Sequence, residues 1–433
     1  MTMNPQAQEL NDLIRNVNPH VYDLLSERGR NIFFPKKGIL GQTAEADGCE
    51  INATIGTALE DDGSIMCLNS IAKNVSLDPK DVFPYAKSYG RPDIRKVWKE
   101  HLLKKNPLLE NKAISLPVVS SALTHGLSMG GFLLCNEGDR IILPELFWGN
   151  YRLIFCHGWG AQLSSYPTFV NNKSFNVDGL REKLIEGAPG KRIVLLNSPN
   201  NPTGYTPTVE EAHRIREVLV EAAEAGNTLA VLIDDAYFGL VYENGIFPES
   251  LFGLLADAHE RILAVKFDGP TKEDYVWGFR VGFVTFGTKK NSPEFYSALE
   301  SKIAGQIRGN ISNSSHLGQS LLLRAYSDPD YVKEKKQKYD ILKKRYQRIN
   351  EVFNTHPEYS EVFEPLPFNS GYFMCIKPFV SDVEALRKKL LEKYSTGLIV
   401  VGDILRIAFS STPYEKLDTL FANIYNAGKE LQD

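Results

Sequence analysis

Cysteine is scarce in this chain of 433 residues, which contains five cysteines and no C-x-x-C pair. They are odd in number and far apart: Cys49, Cys67, Cys135, Cys156 and Cys375. This pattern argues against a disulfide framework and against a zinc site, whose cysteines usually come in closely spaced pairs. The histidines form no ligand-spaced cluster either, so we predict no metal. Reduced thiols of this kind are typical of a cytoplasmic protein, and that is the compartment we expect.

Long apolar runs and an excess of charge of one sign are also missing. No uninterrupted apolar stretch approaches the about 18 residues of a membrane-spanning helix, and residues 1–15 lack the apolar core of a secretory signal. Lysine and arginine total 49 against 53 aspartates and glutamates, a net charge of −4. A nearly neutral chain has no broad attraction for nucleic acid or for an anionic membrane. We expect neither as a partner, and any anionic ligand must bind at a local site.

The common nucleotide-binding motifs are absent as well. Neither G-x-G-x-x-G nor G-x-x-x-x-G-K-[ST] occurs in the sequence, which disfavours a nicotinamide dehydrogenase and a P-loop enzyme. The middle third does show short apolar segments that alternate with helical patterns, and these predict strands at residues 140–143, 192–196, 229–233, 262–267 and 279–285. Residues 209–225 between them have the apolar periodicity of an amphipathic helix. The alternation predicts an α/β fold with a mostly parallel sheet covered by helices.

The C-terminal third has a different character. A lysine-rich helix is predicted at residues 331–354, followed by a smaller α+β unit with apolar segments at 371–376 and 405–409. We therefore expect a large domain at residues 66–325. Residues 1–65 and 326–433 are expected to join as a small domain.

Polar residues stand at the ends of the predicted strands, where open α/β sheets bind their ligands. Asn201-Pro202-Thr203-Gly204 follows one predicted strand, and Asp234-Asp235-Ala236-Tyr237 follows the next. Lys272 and Arg280 stand eight residues apart near a later strand. Taken singly, each has a simpler explanation: a turn, two solvated acids, a loop lysine. Their joint order and spacing are far more specific.

Together these residues match the needs of pyridoxal 5'-phosphate. This cofactor needs an amine to bond to its aldehyde, an anion beside its pyridine nitrogen, donors at its phenolate oxygen and a cradle for its phosphate. Lys272 can supply the amine and Asp234 the anion. Asn201 and Tyr237 can donate to the phenolate, and Arg280 can bind the phosphate through its planar fork. We predict Lys272, Asp234 and Tyr237 as catalytic residues.

With these motifs the chain resembles the aspartate aminotransferase family of fold type I pyridoxal-phosphate enzymes, over nearly its whole length. Residues 51–56 (INATIG) are similar to the segment that closes over substrate, which implies Gly56 as a substrate contact. Phe83-Pro84-Tyr85 resembles the segment whose tyrosine reaches the phosphate of the neighbouring subunit. The turn Leu123-Thr124-His125, after a strand near residues 118–120, implies a phosphate cradle, because a helix N-terminus suits an anion. Trp148 resembles the aromatic that stacks on the cofactor ring, although a core tryptophan beside Phe147 is the alternative.

The same resemblance implies that two arginines bind the substrate. Arg406 stands amid apolar strand residues where the family binds the substrate α-carboxylate, and a buried arginine needs an anionic partner. Arg308, in Arg-Gly-Asn-Ile-Ser-Asn, resembles the arginine of the other subunit that binds a distal carboxylate. The alternative for Arg308 is a structural arginine near an interface. Asn201 is also implied as a substrate contact.

The resemblance implies a homodimer with shared active sites and a ping-pong transfer of the amino group of aspartate or glutamate to 2-oxoglutarate or a related oxo acid. Three alternatives stay open: an aminotransferase for aromatic or other neutral amino acids, elimination or β-decarboxylation at the same lysine, and a pyridoxal-phosphate-binding regulator without turnover. The regulator is disfavoured because the first 50 or so residues lack a basic helix-turn-helix pattern. The sequence departs from the family at Gly269, where many members have a serine that contacts the phosphate. We expect Thr271 or Thr124 to replace that contact.

Overall fold

The structure is a computed structural model that describes residues 3–34 and 38–432. Its strands are β1 (Ile51–Asn52), β2 (Val118–Ser120), β3 (Arg140–Pro144), β4 (Gln162–Tyr166), β5 (Phe169–Val170), β6 (Ser174–Phe175), β7 (Lys191–Asn197), β8 (Thr228–Asp234), β9 (Ile262–Asp268), β10 (Gly282–Gly287), β11 (Phe363–Pro365), β12 (Phe373–Pro378), β13 (Thr396–Gly397), β14 (Ile399–Val401) and β15 (Ile404–Ala408).

The α-helices of the described residues are α1 (Pro5–Val17), α2 (Pro19–Leu24), α3 (Glu27–Asn31), α4 (Ile39–Glu45), α5 (Asn69–Ala72), α6 (Pro79–Val82), α7 (Pro92–Lys105), α8 (Ala122–Leu134), α9 (Val177–Ile185), α10 (Val209–Glu224), α11 (Leu251–Leu255), α12 (Pro270–Glu273), α13 (Pro293–Asn310), α14 (His316–Tyr326), α15 (Tyr331–Thr355), α16 (Val383–Tyr394) and α17 (Leu417–Gln432). A π-helix at Arg152–His157 follows Tyr151. None of the helices within these described ranges combines the length and apolarity needed to cross a membrane.

A seven-stranded sheet forms the core of the larger part, in the order β2-β10-β9-β8-β7-β3-β4. Its strands β4, β3, β7, β8 and β9 are parallel neighbours, whereas β10 runs antiparallel to both β9 and β2. Alternate residues of β7 face opposite sides: Val194 and Leu196 pack beneath α9 and α10, while Ile193 packs with α8 and α13. Burial of both faces explains why these strands read as continuous apolar runs.

The central strands predicted from the sequence are present, and for four of them each end differs by at most one residue. The prediction was wrong only at residues 279–281, because the strand predicted at 279–285 begins later. Residues 277–279 form a 3-10 turn, Arg280 has a left-handed φ of 53°, and β10 begins only at Gly282. The loop predicted around Lys272 was also wrong, because Lys272 lies in the short helix α12, which begins at Pro270. Proline suits the first turn of a helix, where its missing N–H costs no hydrogen bond.

A four-stranded antiparallel sheet, β11-β12-β15-β14, forms the core of the smaller part. Helices α15, α16 and α17 contribute apolar side chains to its core, among them Leu342, Leu390 and Phe421. Strand β1 pairs in parallel with β13, so the segment near residue 51 joins the C-terminal third. The boundaries at residues 66–325 stay a prediction.

Candidate active site

A cavity of about 390 Å³ lies where β7 and β8 end, and residues of both sheets line it. Most of the site residues predicted from the sequence are among its lining: Gly56, Leu123, Thr124, Trp148, Asn201, Asp234, Tyr237, Thr271, Lys272, Arg280 and Arg406. The cavity therefore brings together residues that are up to 367 positions apart, from Ile39 to Arg406. Ligand sites of open α/β sheets lie at such strand ends.

Lys272 presents its amine inside this cavity. Burial lowers the pKa of Lys272 to about 8, a nearby Arg280 acts in the same direction, and Asp234 opposes both. The Nζ atom lies 5.2 Å from the centre of the Tyr237 ring. The backbone carbonyl of Lys272 accepts a hydrogen bond of 2.8 Å from the hydroxyl of Tyr372. A lysine amine with a lowered pKa is partly neutral near neutral pH, which is the form that can act as a nucleophile or base.

Asp234 ends β8 with its carboxylate buried and held on both oxygens. Oδ1 accepts from the Ala236 N–H over 3.1 Å, and Oδ2 accepts from the Tyr151 hydroxyl over 2.5 Å. The amide Nδ2 of Asn197 donates to the Asp234 carbonyl over 2.8 Å. Burial raises the pKa of Asp234, while the Tyr151 hydrogen bond and the nearby Lys272 act against that rise. The site therefore contains an oriented carboxylate that two donors help to keep ionised.

Arg406, on β15, is buried, and no carboxylate of residues 3–34 or 38–432 forms an ion pair with it. Nη2 donates to the Thr54 carbonyl over 3.0 Å, and Nη1 lies 3.5 Å from Oδ1 of Asn201. Its Nε atom is buried and has no partner among the described residues. The guanidinium carbon lies 4.5 Å from the centre of the Phe373 ring. A buried cation of this kind is expensive unless an anion pairs with it, so the position suits a carboxylate ligand.

The first turn of α8 and Arg280 form the other cationic region of the cavity. Leu123 and Thr124 belong to that first turn, where backbone N–H groups lack helical partners and favour an anion. The Oγ1 atom of Thr271 is buried without a partner among the described residues. A side chain at Gly269 would place its Cβ 2.9 Å from the Val281 carbonyl oxygen, so serine does not fit there. The orphaned Thr271 hydroxyl fits a phosphate group at this place.

Three predicted residues do not line the cavity of their own chain. His125 accepts a hydrogen bond of 3.1 Å at Nδ1 from the Ser121 N–H, which is a role in the turn itself. Tyr85 is 89% exposed. Arg308, also exposed, donates to Oγ of Ser312 over 2.8 Å. Contacts of Tyr85 and Arg308 with a second subunit stay a prediction.

Sequence reasoning missed several residues of the site. Asn197 had a usable signal, since it is a polar residue at the end of a predicted strand. Tyr151 had none, because a tyrosine three positions after Trp148 reads as one more core aromatic. Ile39, from α4, also lines the cavity, and nothing in its sequence surroundings distinguishes it.

Comparison with known proteins places the chain in a family. Residues 50–424 match the model of the family described as aminotransferase class I and II. The chain therefore belongs to this family, whose members are pyridoxal-phosphate-dependent transaminases. The resemblance stated from the sequence motifs is confirmed.

Relatives and solved structures agree with this assignment. The chain is 26% identical over 262 residues to "Probable aspartate/prephenate aminotransferase" of Aquifex aeolicus, a match that covers 59% of this chain and 60% of the relative. It is 26% identical over 316 residues to "Aspartate aminotransferase" of Pinus pinaster, covering 69% and 58%. The chain thus spans about 60% of the length of these curated relatives.

Among solved structures, an aminotransferase from Anaerococcus prevotii superimposes with a TM-score of 0.81 at 24% identity, covering 94% of this chain and 99% of that one. The aspartate aminotransferase of Thermus thermophilus with maleate gives 0.74 at 17% identity, covering 93% and 99%. At these identities the likeness shows the fold alone. It confirms the predicted fold type I class.

Proposed function

We propose that this protein is a pyridoxal-phosphate-dependent aminotransferase that moves the amino group of aspartate or glutamate to 2-oxoglutarate or a related oxo acid. The observation that carries the proposal is one cavity that contains a buried amine of lowered pKa, a buried carboxylate and two arginines: Lys272, Asp234, Arg280 and Arg406. Each of the four suits a different part of a cofactor and its amino acid.

The cofactor, when bound, supplies an aldehyde that bonds to amines and a ring that withdraws electrons from the carbon next to the nitrogen. Lys272 provides the amine that anchors it. After an amino acid takes its place, the Lys272 amine can accept the proton of the substrate α-carbon and return it nearby, as a general acid–base. Its pKa of about 8 is close to working pH, which favours both directions of proton transfer.

The remaining groups of the cavity would bind and orient the cofactor and the substrates. Asp234 would pair with the pyridine nitrogen and keep it protonated, and Tyr237 and Asn201 would donate to the phenolate oxygen. Arg280, Thr271 and the first turn of α8 would hold the phosphate. Arg406 binds the α-carboxylate of both substrates, since amino acid and oxo acid share that group. Use of one site by two substrates in turn supports a ping-pong order.

A homodimer with shared sites is part of the proposal. Phe83 and Tyr85 are 81% and 89% exposed, and adjacent exposed aromatics of this size suit burial against another subunit. Arg308 would then reach the substrate side chain in the neighbouring cavity. The unpaired cysteines of the chain support a cytoplasmic location, which we also propose.

An aminotransferase for neutral or aromatic amino acids is the second candidate. Ile39, Ile55 and Phe373 line the cavity of the single chain, and these apolar side chains suit an apolar substrate. In the first candidate, Arg308 binds the side-chain carboxylate of the substrate in the neighbouring cavity. In the second candidate, Arg308 has no such role.

Reduction of the holoenzyme with borohydride, followed by peptide mapping, tests the cofactor assignment. We expect the pyridoxyl group on Lys272, because its amine is buried in the cavity with Asp234 and Arg280. A label on another lysine would overturn the assignment.

Two arginine variants test the substrate class. Loss of one member of a buried charge pair costs about 2–5 kcal/mol, or roughly 30- to 4000-fold in kcat/KM. Arg308→Leu should lower kcat/KM for aspartate and glutamate by this factor and leave phenylalanine or alanine unaffected. Arg406→Leu is the matched control, and it should weaken every amino acid. An unchanged ratio of dicarboxylic to neutral substrate in Arg308→Leu would favour the second candidate.

Mixed subunits test the shared sites. Arg280→Ala and Tyr85→Ala are each expected to impair the site to which they contribute. If Tyr85 acts in the neighbouring subunit, mixing the two variants should restore activity in the fraction of sites that has both residues intact. A fully active monomer in sedimentation would contradict the dimer proposal.

A further inference from the structure

The two residues that follow Lys272 are buried acids, and both are paired. Glu273 accepts from Nζ of Lys105 at Oε1 over 2.8 Å and from Nζ of Lys335 at Oε2 over 2.6 Å. Asp274 accepts from the same Lys335 amine over 2.8 Å and from the Tyr331 hydroxyl over 2.7 Å, both at Oδ1. We call these five residues the Glu273 cluster. Their two carboxylates are matched by two ammonium groups.

The pairing is strong enough to overcome burial. Glu273 and Asp274 have side chains that are 4% and 1% exposed. Burial alone raises the pKa of Glu273, yet Lys105 and Lys335 bring it below its usual value. The same contacts hold the pKa of Lys335 well above its usual value, although burial lowers it. The buried Glu273 carboxylate therefore depends on both lysines, because an unpaired buried charge is costly.

The cluster connects the turn of Lys272 to helices from two regions. Lys105 ends α7, and Lys335 lies near the start of α15. Further along α15, Leu342 and Tyr346 pack into the core that contains β12 and β15. Arg406 lies on β15. The Glu273 cluster therefore joins the turn of Lys272 to a helix that also supports the strand of Arg406.

The turn needs such external support. Helix α12 has four residues, and its N-cap at Gly269 makes no side-chain hydrogen bond. A helix of one turn has little stability of its own, because nucleation fixes several dihedral angles for few hydrogen bonds. Lys272 is the third of its four residues, so a shift of this turn moves the amine directly.

We propose that Glu273, Asp274 and Lys335 are positioning residues that hold the turn of Lys272, and so keep its amine inside the cavity between Asp234 and Arg280. This inference rests on the proposed role of Lys272 as the cofactor lysine. In this proposal the three residues contact neither cofactor nor substrate. They affect the reaction only by fixing the backbone of α12, and with it the position of Lys272.

Tyr331→Phe is the first test, because it removes one hydrogen bond to Asp274 and changes no charge. Lys335→Met removes the shared ammonium group, and Lys335→Arg restores the charge. Lys336→Met is the matched control, since Lys336 is an exposed neighbour on the same helix that pairs with Asp340. All variants are made in the full-length chain.

The readout is the reactivity of the Lys272 amine in the cofactor-free full-length protein. Trace acetic anhydride labels neutral amines, and mass spectrometry of the Lys272 peptide as a function of pH gives the midpoint of its titration. The charged groups that act on this amine are Asp234 and Arg280. The parent midpoint should lie near 8. A loosened turn admits water, so the midpoint should rise toward 10.5, the usual value for lysine.

We expect a rise of about one pH unit or more in Lys335→Met, that is, about a tenfold change in the proton-binding constant, and a smaller rise in Tyr331→Phe. Lys335→Arg and Lys336→Met should match the parent. In the holoenzyme, kcat should fall in Lys335→Met while KM changes little. An unchanged midpoint in both Tyr331→Phe and a folded Lys335→Met overturns the inference. If Lys335→Met does not fold, an unchanged midpoint in Tyr331→Phe overturns it alone. Failure of borohydride labelling at Lys272 would instead refute the proposed function and leave this readout interpretable.

Discussion

Replacing Tyr151 by phenylalanine would remove a single hydroxyl behind the cavity wall. That hydroxyl donates to Oδ2 of Asp234 over 2.5 Å, and both side chains are buried. The Ala236 N–H at Oδ1 would remain. Because burial raises the pKa of Asp234 and the Tyr151 hydrogen bond opposes that rise, the variant should have an Asp234 that ionises less readily. An Asp234 that has lost its charge no longer stabilises a protonated pyridine nitrogen.

The size of the effect follows from the type of hydrogen bond. A hydrogen bond to a charged group contributes about 1.5–3 kcal/mol, which corresponds to roughly 10- to 150-fold in a rate constant. We expect kcat for amino transfer to fall within this range. Tyr151 does not itself line the cavity, so the KM values for amino acid and oxo acid should change little.

Steady-state kinetics with aspartate and 2-oxoglutarate near neutral pH would measure both parameters. Tyr166→Phe is the control, because Tyr166 is also buried but its hydroxyl has no partner among the described residues. That variant should keep the parent kcat within about twofold. The reasoning is refuted if Tyr151→Phe turns over like the parent, or if Tyr166→Phe loses as much activity.

Four further variants test the site and the fold. Lys272→Met should stabilise the cofactor-free protein near neutral pH, since a folded pKa of about 8 against 10.5 means a cost of roughly 3 kcal/mol for burying the cation. That cost is present below pH 8 and disappears as the pH rises to 10.5, so urea unfolding should show the two proteins converge across this window. Gly204→Ala should destabilise by about 2–4 kcal/mol, because φ is +71° and its Cβ would lie 1.8 Å from the Phe373 carbonyl oxygen. The unobstructed Gly402→Ala should cost about 1 kcal/mol in the same urea titration. Asp234→Ala should still retain pyridoxal phosphate on borohydride reduction but lose most turnover, and parent-like kcat would exclude its role at the pyridine nitrogen.

The sequence alone was sufficient for the family and for most of the lining of the cavity. Asn201, Asp234 and Lys272 each lie next to a strand end, and strands are recognisable because burial on both faces requires continuous apolar runs. The parallel arrangement then brings strand ends to one edge of the sheet. Their order along the chain was therefore enough to predict that these side chains meet.

Local backbone geometry was less predictable. Arg280 was expected near the start of a strand, but it has a φ of 53° and precedes β10. A left-handed conformation carries no sequence signal when the residue is an arginine rather than a glycine. The sequence also offered no reason for Gly269 in place of serine, whereas the structure gives one: an added Cβ would lie 2.9 Å from the Val281 carbonyl oxygen and 3.0 Å from Cα of Gly282.

Contacts between distant segments were decided by the tertiary structure. Tyr151 and Asp234 are 83 positions apart, and Glu273 and Lys335 are 62 positions apart. Periodicity and spacing report on the element in which a residue lies and on the face it occupies, because they depend on neighbours within a few positions. Which side chain of another element meets that face depends on how helices and sheets pack. The sequence therefore determined the family, the parallel sheet and the cofactor motif, whereas packing decided which groups hold Asp234 and the turn of Lys272 in place.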